Sequence, residues 1–391
     1  MTGRIAGGAP PKRDVKDLNP VYRGSNQVGL RALNERLVLS LIRIHGQLSK
    51  VQIAEITGLT AQTASVIVRA LEADGLLMAG TPIRGKVGQP SVPMSINPNG
   101  VLFLGLHLGP RNAELALVNF AGRILAERNQ AYDKPDLETI IGFFSTAFDS
   151  IQAEMNTAQR ARLHGLGIAA FPELFRGALI TRLGSATTID HLAADIETIC
   201  GLPVLVQNEA MAACSGELAY GLGGGVSDFM YIYLGDEIDG GVVQHGRLPP
   251  QRTGSRTGIG RMLVPGPDGG LTALADLAIR NDQESSFDKQ SDNASLRRQI
   301  EALVHGIAHV AHAGSTLLPL TTMIIDGSMH QAMRRKIVQA VKARLVNSYS
   351  EGADRLTIRE GTMGRQGSTL GAACLPLLDG FFINANGGVG R

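Results

Sequence analysis

The hydrophobic period of this chain changes over residues 76–96, which lead into the turn Asn97-Pro98-Asn99-Gly100, and that change constrains its fold more than any other feature. Before it, apolar residues recur every three to four positions, as in Leu33, Leu37, Leu41 and Ile44, which makes one buried helix face. After it, short apolar runs of strand length alternate with helical stretches. A turn-forming tetrad between two differently patterned stretches reads as a domain boundary. The reading is therefore a flexible basic arm over 1–25, a helical unit over 26–98 and an α/β unit over 99–391.

Charge follows the same division. Residues 1–100 hold 12 Lys and Arg against 6 Asp and Glu, and the remainder holds 25 against 29. A basic end on a mildly acidic body suits nucleic acid at that end. Apolar residues at 44 % and charged residues at 18 % exclude a disordered chain. The absence of Trp, with aromatics at 4 %, argues against reading single strands by base stacking. Cys200, Cys214 and Cys374 are far apart and odd in number, which excludes a disulfide framework and a CxxC zinc pair and suits reduced thiols in the cytoplasm. No run of about 18 apolar residues exists to span a membrane, and Met1–Lys16 lacks the apolar core of a secretory signal.

In the first unit, a helix ends at His45-Gly46. Ser49 and Gln52 form a capping box for a helix over about 50–57, and Gly58 ends it. A third helix runs from about Thr60 to Ala73. Strand-like runs at 76–78 and 92–96 flank a loop carrying Arg84 and Lys86. This order is a winged helix-turn-helix. Ile53, Ile56, Leu59, Ala64, Ile67 and Leu71 would face inward. Gln62, Thr63, Ser65 and Val66 would face outward, where Gln can bond adenine and Thr can touch a thymine methyl. Lys50, Thr60 and Arg69 would lie against phosphates, and Arg84 and Lys86 against the minor groove. The same helices and hairpin also serve protein contacts; the basic loop favours DNA.

In the second unit, strands are expected at 101–108, 113–119 and 123–130, then a helix at about 137–157 and a strand at 163–169. Strands at 229–234 and 240–244, with a turn at His245-Gly246, repeat the opening theme, so two similar α/β lobes are expected. Long helices are expected at about 292–317 and 331–346. On the first, His305, His309 and His312 share one face at a spacing that could hold a metal. No acidic or cysteine partner is evident there, and core or interface packing is the preferred reading.

Several motifs together resemble the ROK family (repressors, open reading frames, kinases). They are LSKVQIAEITGLTAQTASVIVRALEADGLL, the loop Gly85-Lys86-Val87-Gly88-Gln89-Pro90, GLHLGPRNAELALVNFAGRIL, GLPVLVQNEAMAACSGEL, YIYLGDEIDGGVVQHGRL and GSTLGAA. The resemblance implies an α/β fold class: an N-terminal winged helix-turn-helix plus a two-lobed ribonuclease-H-like, actin-like body with a ligand cleft between the lobes. Departures from the family pattern argue against a kinase. The phosphate loop Asp-x-Gly-Gly-Thr becomes His107-Leu108-Gly109-Pro110-Arg111, and Pro110 removes a backbone donor. The second nucleotide loop becomes Gly235–Gly241, with Asp236, Glu237 and Asp239 placed where phosphates would approach.

The family's catalytic Asn-Asp-Ala becomes Asn208-Glu209-Ala210, which can bond sugar hydroxyls or cap a helix. The Glu-x-Gly-His segment becomes Gly258-Ile259-Gly260-Arg261, so no zinc is expected, and Arg261 becomes a ligand candidate with Glu173 and Ser185. The expected function is a cytoplasmic transcriptional regulator, a repressor without enzymatic activity or cofactor. It would bind a pseudo-palindromic double-stranded operator as a homodimer or homotetramer and respond to a small carbohydrate. The alternatives are a sugar kinase with an appended DNA-binding head, and a regulator with a non-sugar or protein effector.

Overall fold

The computed structural model describes residues 27–83, 91–176, 179–180, 186–248, 258–279, 294–346 and 356–383. The expected arm at 1–25, the loop with Arg84 and Lys86, and Ser185 lie outside the described residues.

The head consists of α1 (Gln27–His45), β1 (Leu48–Ser49), α2 (Lys50–Thr57), α3 (Ala61–Ala73), β2 (Leu77–Ala79) and β3 (Pro93–Ile96). Local chemistry sets these bounds. Ser49 and Gln52 make both bonds of the capping box, and Gly58 closes α2 in the left-handed region at φ 69°. Thr60 caps α3. β3 pairs antiparallel with β1 and with β2. Ile53, Ala64, Ile67 and Leu71 are buried as expected, and Ile56 and Leu59 are half-buried.

The first lobe comprises β4 (Leu102–Leu108), β5 (Asn112–Asn119), β6 (Ile124–Ala131), α4 (Leu137–Glu154), α5 (Thr157–Arg160), β7 (Leu163–Ala170), β8 (Leu179–Ile180), β9 (Ala186–Thr187), α6 (Ile189–Cys200) and β10 (Val204–Asn208). The helix expected to reach 157 stops at Glu154, because Asn156 caps the new short helix α5. The main sheet has the order β10-β7-β4-β5-β6. The hairpin strands are antiparallel, and β4, β7 and β10 are parallel. Every residue of β4 is buried, as a strand covered on both faces requires. Leu102, Leu104 and Leu106 share a core with Phe144 of α4 and with Leu192 and Ile196 of α6. Phe103 faces the other way.

From β10, α7 (Glu209–Tyr220) leads into the second lobe: β11 (Phe229–Leu234), β12 (Ile238–Val243), β13 (Leu263–Pro265), β14 (Leu271–Ala273), α8 (Ala294–Leu317), β15 (Thr322–Asp326), α9 (Gln331–Val346) and β16 (Thr357–Glu360). Its main sheet is ordered β12-β11-β15-β16. Met230 and Ile232 pack with Ile307 and Ile337 of α8 and α9, while Phe229, Tyr231 and Tyr233 pack with Ala213 and Cys214 of α7. Both lobes therefore use strand alternation to cover two faces.

The last helix, α10 (Gly367–Gly380), returns to the first lobe and covers the face of β4 that carries Phe103. A Cβ at Gly105 would overlap the Thr369 carbonyl, and one at Gly371 would overlap the Ala212 carbonyl. Glycine thus lets α10 touch the backbones of both the sheet and α7. The core of the head is continuous with this layer: Val38 and Leu41 of α1 join Phe103, Phe120, Leu377 and Phe382 in one cluster.

Candidate functional site

The three parallel strands of the first lobe end level with one another. Leu108 of β4 and Asn208 of β10 both pair with Ala170 at the end of β7. This carboxyl edge is where ligands bind in open α/β sheets. The last residue of β10 also starts α7. Asn208 is buried, and its Oδ1 accepts the Met211 N–H at 2.9 Å, so the helix-capping role holds.

Glu209, the first residue of α7, gathers both lobes. Its Oε1 accepts from His107 Nε2 at 2.9 Å, from the Tyr233 hydroxyl at 2.6 Å and from the Ser368 hydroxyl at 3.2 Å. These partners come from β4, β11 and the first turn of α10. Burial works against charge on both members of the His107–Glu209 pair. The carboxylate and its hydrogen bond nevertheless hold His107 above its ordinary value, with Glu114 and Asp236 adding to the effect. Against the same burial, His107 and the bonds from Tyr233 and Ser368 hold Glu209 below its ordinary value. A carboxylate held charged by three donors on one oxygen is a poor base, and a ligand hydroxyl would have to bond its other oxygen.

The backbone that would cradle a phosphate is already committed. The Gly109 N–H donates to the Asn112 carbonyl at 2.9 Å, and the Gly109 carbonyl accepts the Tyr132 hydroxyl at 2.6 Å. In the second loop the expectation of three carboxylates needs correction. Asp236 is exposed and Glu237 half-buried, but Asp239 is buried on β12 and accepts the Gly260 N–H at 3.0 Å. Strand alternation turns Asp239 away from the loop and toward the Gly258–Arg261 segment.

The other candidates are more scattered. Glu173 is half-buried on a 3-10 turn (Pro172–Arg176) just beyond β7, at the same edge as Asn208. Arg261 is exposed on the turn before β13, and the side chains that donate to Glu209 are His107, Tyr233 and Ser368 rather than Arg261. The histidine stripe is not core: His305, His309 and His312 are all exposed on α8. Among the described residues no group of three or more His, Cys, Asp or Glu side chains is placed to hold a metal. Among them, too, no helix is long and apolar enough to cross a membrane. Tyr233 and Ser368 were not singled out from sequence. Alternation along Phe229–Leu234 puts Tyr231 and Tyr233 on one face, but nothing local says that this face meets the cleft.

On the head, α3 presents Gln62, Thr63 and Arg69 to solvent, with Val66 52 % exposed among them; Ser65 is half-buried. Thr60 accepts the Thr63 N–H at 3.1 Å, and the two hydroxyls meet at 2.9 Å. Arg69 folds back along its helix and donates to the Ser65 hydroxyl at 3.1 Å. Lys50 is half-buried at the start of α2.

A winged helix-turn-helix DNA-binding profile matches residues 32–78. A xylose repressor of Caldicellulosiruptor bescii is 24 % identical over 225 residues, 57 % of this chain and 56 % of that protein. The chain thus spans little more than half the length of that curated relative. A glucokinase of Halalkalibacterium halodurans is 26 % identical over 172 residues, 43 % of this chain and 51 % of that protein. A solved ROK-family transcriptional regulator, a homologue of the E. coli MLC protein, superposes with a TM-score of 0.65 at 18 % identity, covering 89 % of this chain and 96 % of that one. The ROK family profile matches residues 103–377, both lobes and α10, and the chain belongs to the ROK family.

Proposed function

We propose that this chain is a DNA-binding transcriptional repressor whose operator affinity changes when a small carbohydrate enters the cleft beside Asn208 and Glu209. The observation that carries this reading is the joining of a winged head, with the first turn of α3 free to meet DNA, to a two-lobed body with a polar cleft. Xylose repressors from Caldicellulosiruptor bescii and Bacillus subtilis are among the relatives, which makes a pentose the first effector to try. In this reading residues 26–98 bind DNA and residues 99–391 bind effector and assemble as a cytoplasmic homodimer or homotetramer. Gln62, Thr63 and Ser65 face bases, while Lys50, Thr60, Arg69, Arg84 and Lys86 face the backbone and grooves. Asn208 and Glu209 hold sugar hydroxyls, with Glu173, Ser185 and Arg261 at the border.

Phosphoryl transfer is not part of this reading. Glu209, where a kinase needs a base, is held as a charged acceptor, and the Gly109 amide is spent within its own hairpin. Binding is tested with a duplex selected from a random pool by the full chain. Gln62→Ala is expected to cost about 1–3 kcal/mol of affinity, and D-xylose is expected to weaken the wild-type complex. No duplex selected at low salt, or ATP-dependent phosphorylation of the sugar, would overturn the proposal.

A further inference from the structure

We propose that Arg43, on the head, is the positioning residue that couples the cleft to the head by clamping the far ends of α7 and α10. The inference deepens the regulator reading and rests on it for its biological meaning, though not for its test.

Both central helices run from the cleft to the head. Glu209 begins α7, and Ser368 lies in the first turn of α10. With 12 and 14 residues, the two rods span about 18 and 21 Å. At the far end of α7, Arg43 Nη1 donates to the Leu218 carbonyl at 2.9 Å and to the Ala219 carbonyl at 2.8 Å. Last-turn carbonyls lack partners within their own helix, and a cation there also meets the negative end of the helix dipole. The cap on α7 is therefore supplied from another unit of the chain. Just beyond α10, the Phe382 ring lies 4.8 Å from the same guanidinium, and the Ile383 N–H donates to Ser40 Oγ at 3.1 Å. Ser40 sits one turn before Arg43 on α1. The two rods touch backbone to backbone where Gly371 meets Ala212, so they shift together.

The head also has a second, separate support. Asn97 Nδ2 donates to the Gly75 carbonyl at 2.7 Å, which ties the Asn97–Gly100 turn to the head, and Arg162 Nη1 donates to the Asn99 carbonyl at 2.6 Å, which ties it to the first lobe. Because α10 is seated backbone to backbone on that lobe as well, where Gly105 meets Thr369, a disturbance at Glu209 reaches the head along α7 and α10 rather than by sliding them over the sheet. Arg43 is an expensive way to fill this seam. Burial works against its charge, and its Nε is buried without a hydrogen-bond partner. Apolar side chains would fill the same space at less cost, but would not fix the α7 carbonyls in register with α1.

The test uses the full chain and needs neither DNA nor sugar. Hydrogen exchange is measured on amides of residues 38–45 in the wild type, Glu209→Gln, Arg43→Met and the double variant, with melting temperatures alongside. Glu209→Gln is expected to change α1 exchange about fivefold or more when Arg43 is present, the lower end of typical coupling factors. That effect disappears with Arg43→Met and returns in part with Arg43→Lys. A purely structural Arg43 would lower the melting temperature yet leave the Glu209→Gln effect intact, and that result overturns the proposal. So does a wild-type background in which Glu209→Gln leaves α1 exchange unchanged. If Arg43→Met does not fold, the comparison is made with Arg43→Lys, where an undiminished Glu209→Gln effect counts equally against it. Failure to bind any duplex would sink the regulator reading while leaving the exchange result standing.

Discussion

Helices α3 and α7 begin with the same device and serve opposite purposes. Thr60 and Asn208 both adopt extended backbone and accept the N–H of the residue three positions on, at 3.1 and 2.9 Å. The surroundings then diverge. In the first turn of α3, Gln62 and Thr63 stand in solvent, because only the stripe Ala64, Ile67, Val68 and Leu71 packs inward. In α7, every residue from Ala210 to Ala219 is buried between the second lobe's sheet and α10, and Glu209 is locked to His107. An exposed helix start can meet a ligand as large as a DNA duplex. A buried one can serve only a ligand that fits the cleft. The cap is local chemistry; what the first turn faces belongs to the fold.

The largest effect that would test this contrast is at the locked carboxylate. Glu209→Ala leaves His107, Tyr233 and Ser368 without their common acceptor, and denaturation in urea is expected to show a loss of about 3 kcal/mol. Gln62→Ala should leave stability nearly unchanged and act only on DNA affinity. Similar stability losses at the two positions would break the comparison.

A smaller effect separates the caps themselves. Asn208→Ala is expected to cost about 2 kcal/mol and Thr60→Ala about 0.5–1 kcal/mol, the upper and lower parts of the range for capping residues. The buried amide of Met211 has no water to replace its lost partner, whereas the amide of Thr63 does. Equal costs in matched unfolding curves would mean that burial does not set the penalty.

The smallest effect is on pH dependence. The lowered Glu209 value gives stability that is present above its ordinary 4.5 and is lost as pH falls through the lowered value. The raised His107 value gives stability that is fully present below its ordinary 6.5 and fades as pH rises through the raised value. The melting-temperature gap between the wild type and His107→Gln should therefore be wider below the ordinary His107 value than well above it, narrowing as pH rises through the raised value. A gap that widens above neutrality would reverse the charge assignment.

Much of the fold was legible along the chain. The capping box at Ser49, the Gly58 stop and the alternation of Leu102, Leu104 and Leu106 all act within a few residues, and the structure has each of them. The two lobes followed from the repeated strand theme, but the actin-like fold and its cleft came from the family resemblance, since no local signal pairs β4 with β7 or brings α10 back onto the first lobe. The cleft was legible only in part. Asn208 and Glu209 stand out in their motif. His107 reads as a missing acid, and only in three dimensions does it become the partner of Glu209. Tyr233 and Ser368 join that carboxylate across sequence gaps of 24 and 159 residues.

Helix starts, turns and strand faces are written locally, because capping, left-handed glycine and side-chain alternation depend on neighbours a few positions away. Which of those faces meet is a matter of long-range packing. It took the crossing of α7 and α10 to bring His107, Tyr233 and Ser368 onto one oxygen. The same packing placed Arg43 on the α7 carbonyls 175 and 176 residues away. Such contacts form because buried polar groups must find partners wherever packing places them, and sequence spacing does not reveal where that will be.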